Sequence, residues 1–189
     1  MKQLLHLIPI SFCILSTPIS AAETYQLDPN HTSVQWHVNH LGFSNPSGKW
    51  MAQGTLILDQ EKPQNSKVDA TIHIKNVLTG VPALDEHLTV APFFNVKQFP
   101  TAKFVSDKVT IVDQTHAKVE GTVTINGISK PLTLDVTLNK IGENPINHKM
   151  TAGFSATGEV NRSDFGMKAY LPALGDKVDL IIEAEANKA

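Results

Sequence analysis

Cysteine is nearly missing from this chain. One occurs in 189 residues, Cys13, and it falls in an N-terminal segment that reads as removable. The remainder has no disulfide, no thiolate nucleophile and no cysteine metal cluster. Other signatures are missing too. There is no Gly-x-Ser-x-Gly elbow, no phosphate-cradling glycine-rich loop, no HExxH and no acidic loop with calcium spacing. The eight histidines do not gather. His37 and His40, three apart on an extended segment, face opposite sides, and His31 and His37 are distant along one face. Runs of like charge are absent, and the net charge of −3 that remains without the N-terminal segment argues against nucleic acid or an anionic membrane as the main partner. Beyond the N-terminus no apolar run approaches the roughly 20 residues of a membrane-spanning helix, and no long amphipathic helix is visible. No cofactor, no metal and no enzymatic activity are expected.

The N-terminus reads as a secretory signal peptide. Lys2 precedes an apolar run from Leu4 to Leu15 that only His6 and Ser11 interrupt. Pro18 breaks the run, and Ser20, Ala21 and Ala22 supply small residues for cleavage. Phe12, bulky where a small residue is needed, argues against a lipid anchor on Cys13. Cleavage after Ala21 leaves 168 residues as one domain, 22–189, with 15 basic against 18 acidic residues and a net charge of −3. A chain of that length can stabilise itself through its own core, since it buries roughly 70% of its unfolded surface.

The rest of the chain is strand after strand. Val34, Trp36 and Val38 alternate with Ser33, Gln35 and His37, so the first three mark an inner face shared with Thr32 and His40. Leu56 and Leu58 point one way, with Gly54 a predicted bulge or bend. Val68, Ala70, Ile72 and Ile74 alternate with Lys67, Asp69, Thr71 and His73. Ala117 to Leu138 reads as a hairpin about Asn126-Gly127, the pair that tolerates positive φ in a tight turn. Met150 to Ala156 and Val178 to Ala184 complete roughly eight strands, with Gly175-Asp176 predicted to turn into the last. The class is all-β and antiparallel, sandwich or barrel.

One stretch breaks the alternation. Asp85 to Phe104 holds four of the eight phenylalanines, Phe93, Phe94, Phe99 and Phe104. It reads as a helical turn from Leu84 to Val90, an apolar corner, and a new strand after Pro100. Such a corner either plugs a filled core or walls a cavity for an apolar ligand. Asp85 and His87 read as capping or surface groups. Arg162 and Asp164, before Phe165-Gly166, read either as an ion pair fixing a loop or as a polar handle at a cavity mouth.

Taken in order, these segments resemble the YceI-like family. The resemblance is carried by Leu27-Asp28 with His31-Thr32-Ser33-Val34 and His40-Leu41-Gly42. It continues in Asp85-Glu86-His87-Leu88, Phe93-Phe94-Asn95-Val96 and Phe99-Pro100-Thr101, then in Gly121 to Pro131, Asn161 to Gly166 and Val178-Asp179-Leu180. Leu84 departs from it, standing where the family often carries arginine. The resemblance implies a lipocalin-like antiparallel barrel of about eight strands with one or two short helices and a long apolar tunnel. It implies a periplasmic binding protein for a polyisoprenoid or similar amphiphile, such as an isoprenoid quinone. The wall is then expected to include Trp36, Val38, Leu88, Phe93, Phe94, Phe104, Phe154 and Phe165, with His40, Arg162 and Asp164 as polar contacts. Transient contact with the membrane or a membrane cytochrome, and a homodimer, are compatible with that role. The alternatives are an accessory to quinone redox or lipid metabolism and a stress protein with a filled core.

Overall fold

The computed structural model describes residues 22–189. The expected signal peptide, with Cys13, lies outside the described residues. Among the described residues nine strands run in order: β1 (Glu23–Leu27), β2 (Ser33–His40), β3 (Ser47–Leu58), β4 (Lys67–His73), β5 (Thr101–Ile111), β6 (His116–Ile125), β7 (Ile128–Glu143), β8 (Met150–Asn161) and β9 (Leu174–Lys188). One helix, α1 (Pro82–Thr89), lies between β4 and β5. It starts at Pro82, whose missing N–H costs nothing at a first helical position.

Period-two patterning produces these strands. In β5, Ala102, Phe104 and Ser106 are buried while Thr101, Lys103, Val105 and Asp107 are exposed. Each strand therefore has one face that must be covered, and the sheet covers it by closing on itself. Every neighbouring pair is antiparallel, and β3–β4 pairing closes the ring.

Nine antiparallel strands cannot close a ring, because an odd number would force one parallel pair. The chain meets this by placing β1 and β2 in one position. Both run antiparallel to β3 and β9, β1 against Gly54–Leu58 and β2 against Ser47–Met51. The turn between them is stitched to the sheet. Asp28 accepts the Asn30 N–H at 2.8 Å and the His31 ring at 3.1 Å, and the Thr32 hydroxyl donates to the Glu185 carbonyl. The result is a closed barrel of eight strand positions, the size at which one small ligand can be held inside.

Two local expectations differ from what is found. Gly54 is not a bulge, since its register against β4 is unbroken through Ala70, while the pairing with β1 ends there at Leu27. Gly175 and Asp176 are not a turn but lie inside β9, where Asp176 is held by Ser163. The Asn126-Gly127 turn is as expected, with φ of 51° and 72°.

The outer wall carries ion pairs, among them Lys103–Asp69, Lys118–Asp135 and Lys177–Glu159. All are largely exposed, so each is worth little to stability, but they mark that face as wetted. Inside, the buried apolar residues form three clusters. One holds Trp36, Trp50, Ile74 and Phe93 at the helix end. A second holds Phe104, Val123, Leu132 and Phe165 along the wall. The third holds Tyr25, Leu56, Leu58 and Ala186 toward the far end. A filled barrel would give one contiguous core.

Candidate ligand cavity

The clusters are linked only by half-buried residues such as Phe94, Ile125, Leu180 and Val68, which also line a hollow. A cavity of about 970 Å³ runs the length of the barrel. It lies at the upper end of the roughly 300–1,000 Å³ usual for ligand sites. Val34, Val38, Phe154, Leu180 and Ile182 point inward yet are only half-buried, because their far sides face this space.

Cross-strand glycines help to keep the space open. Trp36 pairs with Gly48, and Phe104 lies against Gly121, next to its pairing partner Val123. With no side chain on the glycine, each large ring lies down against the sheet instead of projecting across the lumen. A β-carbon on Gly121 would come 2.7 Å from the Phe104 ring and 2.4 Å from the Val105 carbonyl oxygen.

Helix α1 and the aromatic corner cover one end. Phe94 N–H donates to Leu88 O and Val96 N–H to Thr89 O, which folds the corner back under the helix. Phe94 meets Trp50 edge to face at 5.1 Å, and Phe93 touches His87 at 4.9 Å and Tyr170 at 6.3 Å between centroids. Asn126, at the tip of the β6–β7 turn, donates to the carbonyls of Phe93 at 2.9 Å and Phe165 at 3.3 Å. Asp85 accepts from the Thr79 N–H and hydroxyl, so its role is to fix the approach to α1.

Arg162 is the one buried cation on the wall among the described residues. It opens a 3-10 turn (Arg162–Phe165) and is 5% exposed. Its guanidinium donates to the carbonyls of Gly175 at 2.7 Å, Met167 at 2.8 Å and Leu174 at 3.0 Å. Burial pulls its pKa down, and the nearby charge of Asp176 opposes this. Asp176 itself is held below the usual carboxylate range, mainly by the Ser163 hydroxyl. The expected Arg162–Asp164 ion pair is not formed. Asp164 is exposed and off the cavity wall, because the 3-10 turn carries it outward.

The two ends differ in chemistry. Near the helix the mouth is bordered by His40, Ser44, Pro46, His87 and Tyr170. The opposite end is bordered by Asp59, Gln60, Ser66, Lys67, Asp113, Thr115 and His116. There the Thr115 N–H and the His116 ring hold the Asp113 carboxyl down at about 2. Between the ends polar groups are few and mostly spent. Ser106 Oγ accepts from Val68 N–H. The Trp36 indole N–H has no partner, alone among buried side-chain polar atoms of the described residues.

Of the residues singled out from sequence, Trp36, Val38, His40, Leu88, Phe93, Phe94, Phe104, Phe154 and Arg162 line the cavity. Asp164 and Phe165 do not. Phe165 is 2% exposed and packs behind the wall with Phe104 and Met167. Sequence reasoning missed Trp50, Tyr170 and the polar far end. Trp50 shares the inward face of β3 with Ala52 and could have been found; the loop residues have no periodic signal. Leu84 also lines the cavity, so that position brings a methyl surface and no cation.

The model of the YceI-like domain matches residues 25–186. Protein YceI of Escherichia coli O157:H7 is 34% identical over 188 residues, 98% of this chain and 97% of that protein. A crystal structure of the Campylobacter jejuni YCEI protein is 27% identical, covers 100% of this chain and 99% of that one, and superposes with a TM-score of 0.67. A domain of Saccharophagus degradans, described as polyisoprenoid binding, shares the fold at a TM-score of 0.65 and 9% identity, over 87% of this chain and 98% of that one.

Proposed function

Since this chain belongs to the YceI-like domain family, we propose that it is a periplasmic carrier or store for a long-chain isoprenoid lipid, such as an isoprenoid quinone. The observation that carries the proposal is the continuous apolar hollow of about 970 Å³. An apolar cavity stays dry and takes apolar guests. The shared fold of the Saccharophagus degradans domain is in keeping with it, but the cavity bears the weight.

The energetics fit a tail-binder with loose selectivity. Each buried methylene is worth roughly 0.8 kcal/mol, so a tail of ~40 carbons would count ~32 kcal/mol. That exceeds the practical ceiling of about 18–21 kcal/mol. Contact area is therefore not limiting. Ordering of the tail and fit at the mouth set the affinity. The protein's own part is to exclude water and hold the chain extended, and no group transfer is assigned to it.

Native mass spectrometry of protein purified from its own host, with subsequent lipid extraction, tests the proposal. A co-purified lipid of isoprenoid mass is expected. A clean apo mass with no uptake of a long-chain quinone would overturn it. Fractionation of the host places the protein in the periplasm if the signal peptide acts as read.

A further inference from the structure

Two loops border the cavity mouth at the helix end, and both hold a non-glycine residue at positive φ. Leu41 has φ of 58° in residues 41–46, and Tyr170 has φ of 61° in residues 166–173. Left-handed backbone is unfavourable for such residues and persists only where its surroundings hold it. Here they do. Leu41 N–H donates to Ala173 O, joining the loops, while Gly42 N–H donates to Asn39 Oδ1 and Phe43 N–H to His40 O.

The side chains on this rigid framework are apolar. Phe43 is 91% exposed, Tyr170 64% and Leu41 48%. The display is continuous with the interior, because Ser44, Pro46 and Tyr170 of the same loops, and His40 at the end of β2, line the cavity. Charge adds a direction. The connecting segments at this end, residues 41–46, 77–81, 90–100, 126–127 and 166–173, contain Lys97 and Lys168 and no carboxylate. The nearby carboxylates Asp85, Glu86 and Asp164 stand on α1 and the 3-10 turn, and Asp176 on β9. At the opposite end residues 59–66, 112–115 and 144–149 carry Asp59, Glu61 and Asp113 against Lys62 and Lys149.

We propose that the Leu41–Phe43 loop and Tyr170 form a tip that inserts into the interface of an anionic phospholipid bilayer and opens the helix-end mouth onto it. Aromatic and aliphatic side chains beside lysines are the groups that settle at that depth. An apolar tail then passes from membrane to lumen without crossing water. The inference rests on the lipid-carrier reading and adds the face and the source.

The test uses the secreted chain with phosphatidylcholine vesicles, with and without phosphatidylglycerol. The chain is expected to co-sediment with vesicles, more strongly when phosphatidylglycerol is present. A Phe43→Ser, Leu41→Asn double variant should lower the vesicle-bound partition about tenfold, ~1.4 kcal/mol. Its thermal transition should be unchanged, since both side chains are exposed and asparagine tolerates the left-handed backbone. Unchanged vesicle binding by the variant overturns the proposal, as does a wild-type chain that ignores vesicles. A variant that loses only self-association, seen by light scattering, also overturns it and makes a second copy the occupant. Uptake of a quinone delivered in detergent micelles separates the two readings. Vesicle binding without uptake removes the carrier role, while uptake with no effect of the double variant on vesicles removes the tip.

Discussion

Trp36 lies flat across Gly48, with its Cζ2 atom 2.6 Å from where a β-carbon on Gly48 would stand. The other close atoms are also side-chain atoms, Trp36 Cε2 at 2.8 Å and Thr79 Cγ2 at 2.9 Å. A methyl here therefore displaces an indole, not a strand. Gly48→Ala should push Trp36 into the lumen, cost about 1–3 kcal/mol as overpacking does, and reduce lipid uptake. Urea denaturation with a quinone-uptake assay checks both. Unchanged uptake would mean that the ring has another place to lie.

The two tryptophans of the helix end should respond differently to the same change. Trp50 donates its indole N–H to Ile74 O at 3.0 Å, while that of Trp36 has no acceptor. Trp50→Phe removes a buried hydrogen bond and leaves a carbonyl short of a partner. Trp36→Phe removes an orphan donor. Trp50→Phe should be the more destabilising by ~1–2 kcal/mol. Chemical denaturation of the two variants side by side gives the difference directly.

This contrast shows where sequence reading reaches and where it stops. The inner face of β2 was legible because Val34, Trp36 and Val38 alternate, and alternation is a local property. The Asn126-Gly127 turn was legible for the same reason. The reach of the Asn126 amide to Phe93, 33 positions away, was not. Arg162 beside Asp164 suggests an ion pair, but its guanidinium goes to carbonyls 5, 12 and 13 residues along. Phe165 reads as wall in a motif, yet the turn that carries it sets it behind the wall. Hollowness itself was undecidable from residues alone, because Gly48 meets Trp36 only through strand pairing.

Arg162 acts as a latch on the loop before β9. Its planar fork serves three carbonyls that a lysine ammonium cannot reach together. Arg162→Met leaves those carbonyls in an apolar wall and should cost about 1–3 kcal/mol for each one left without a donor. Arg162→Lys should also destabilise, by less. A denaturant midpoint unchanged in Arg162→Lys would show that the guanidinium is free for a ligand head group instead.

The turn between β1 and β2 should be sensitive to pH in two opposite ways. The hydrogen bond that the His31 ring donates to Asp28 raises the His31 pKa above 6.5, and Asp28 is lowered below 3.8, first by the Asn30 N–H and then by His31. The His31 contribution is complete below about 6.5 and is lost as pH rises through its raised value. The Asp28 contribution is complete above about 3.9 and is lost as pH falls through its lowered value. The turn is thus held best between those limits. An NMR titration should find His31 titrating above an ordinary imidazole, and Asp28→Asn should return it. A normal His31 midpoint in the unmodified chain would break the link.

Filling the lumen separates a hollow barrel from a solid one without any ligand. Val34 points inward, is only half-buried, and pairs with Trp50 and Ile182. In a filled core Val34→Phe would overpack and cost about 1–3 kcal/mol. In this barrel the added ring enters empty space, gains dispersion contacts with the opposite wall, and keeps good strand propensity. Stability should hold or rise by ~0.5–2 kcal/mol, the range of a cavity-filling change, while quinone uptake falls. The sign of the stability change carries the answer: stabilisation with lost uptake means the space was kept empty at a cost in stability, as a binding site requires. Destabilisation with uptake intact would mean that Val34 already faces protein and that the guest lies elsewhere.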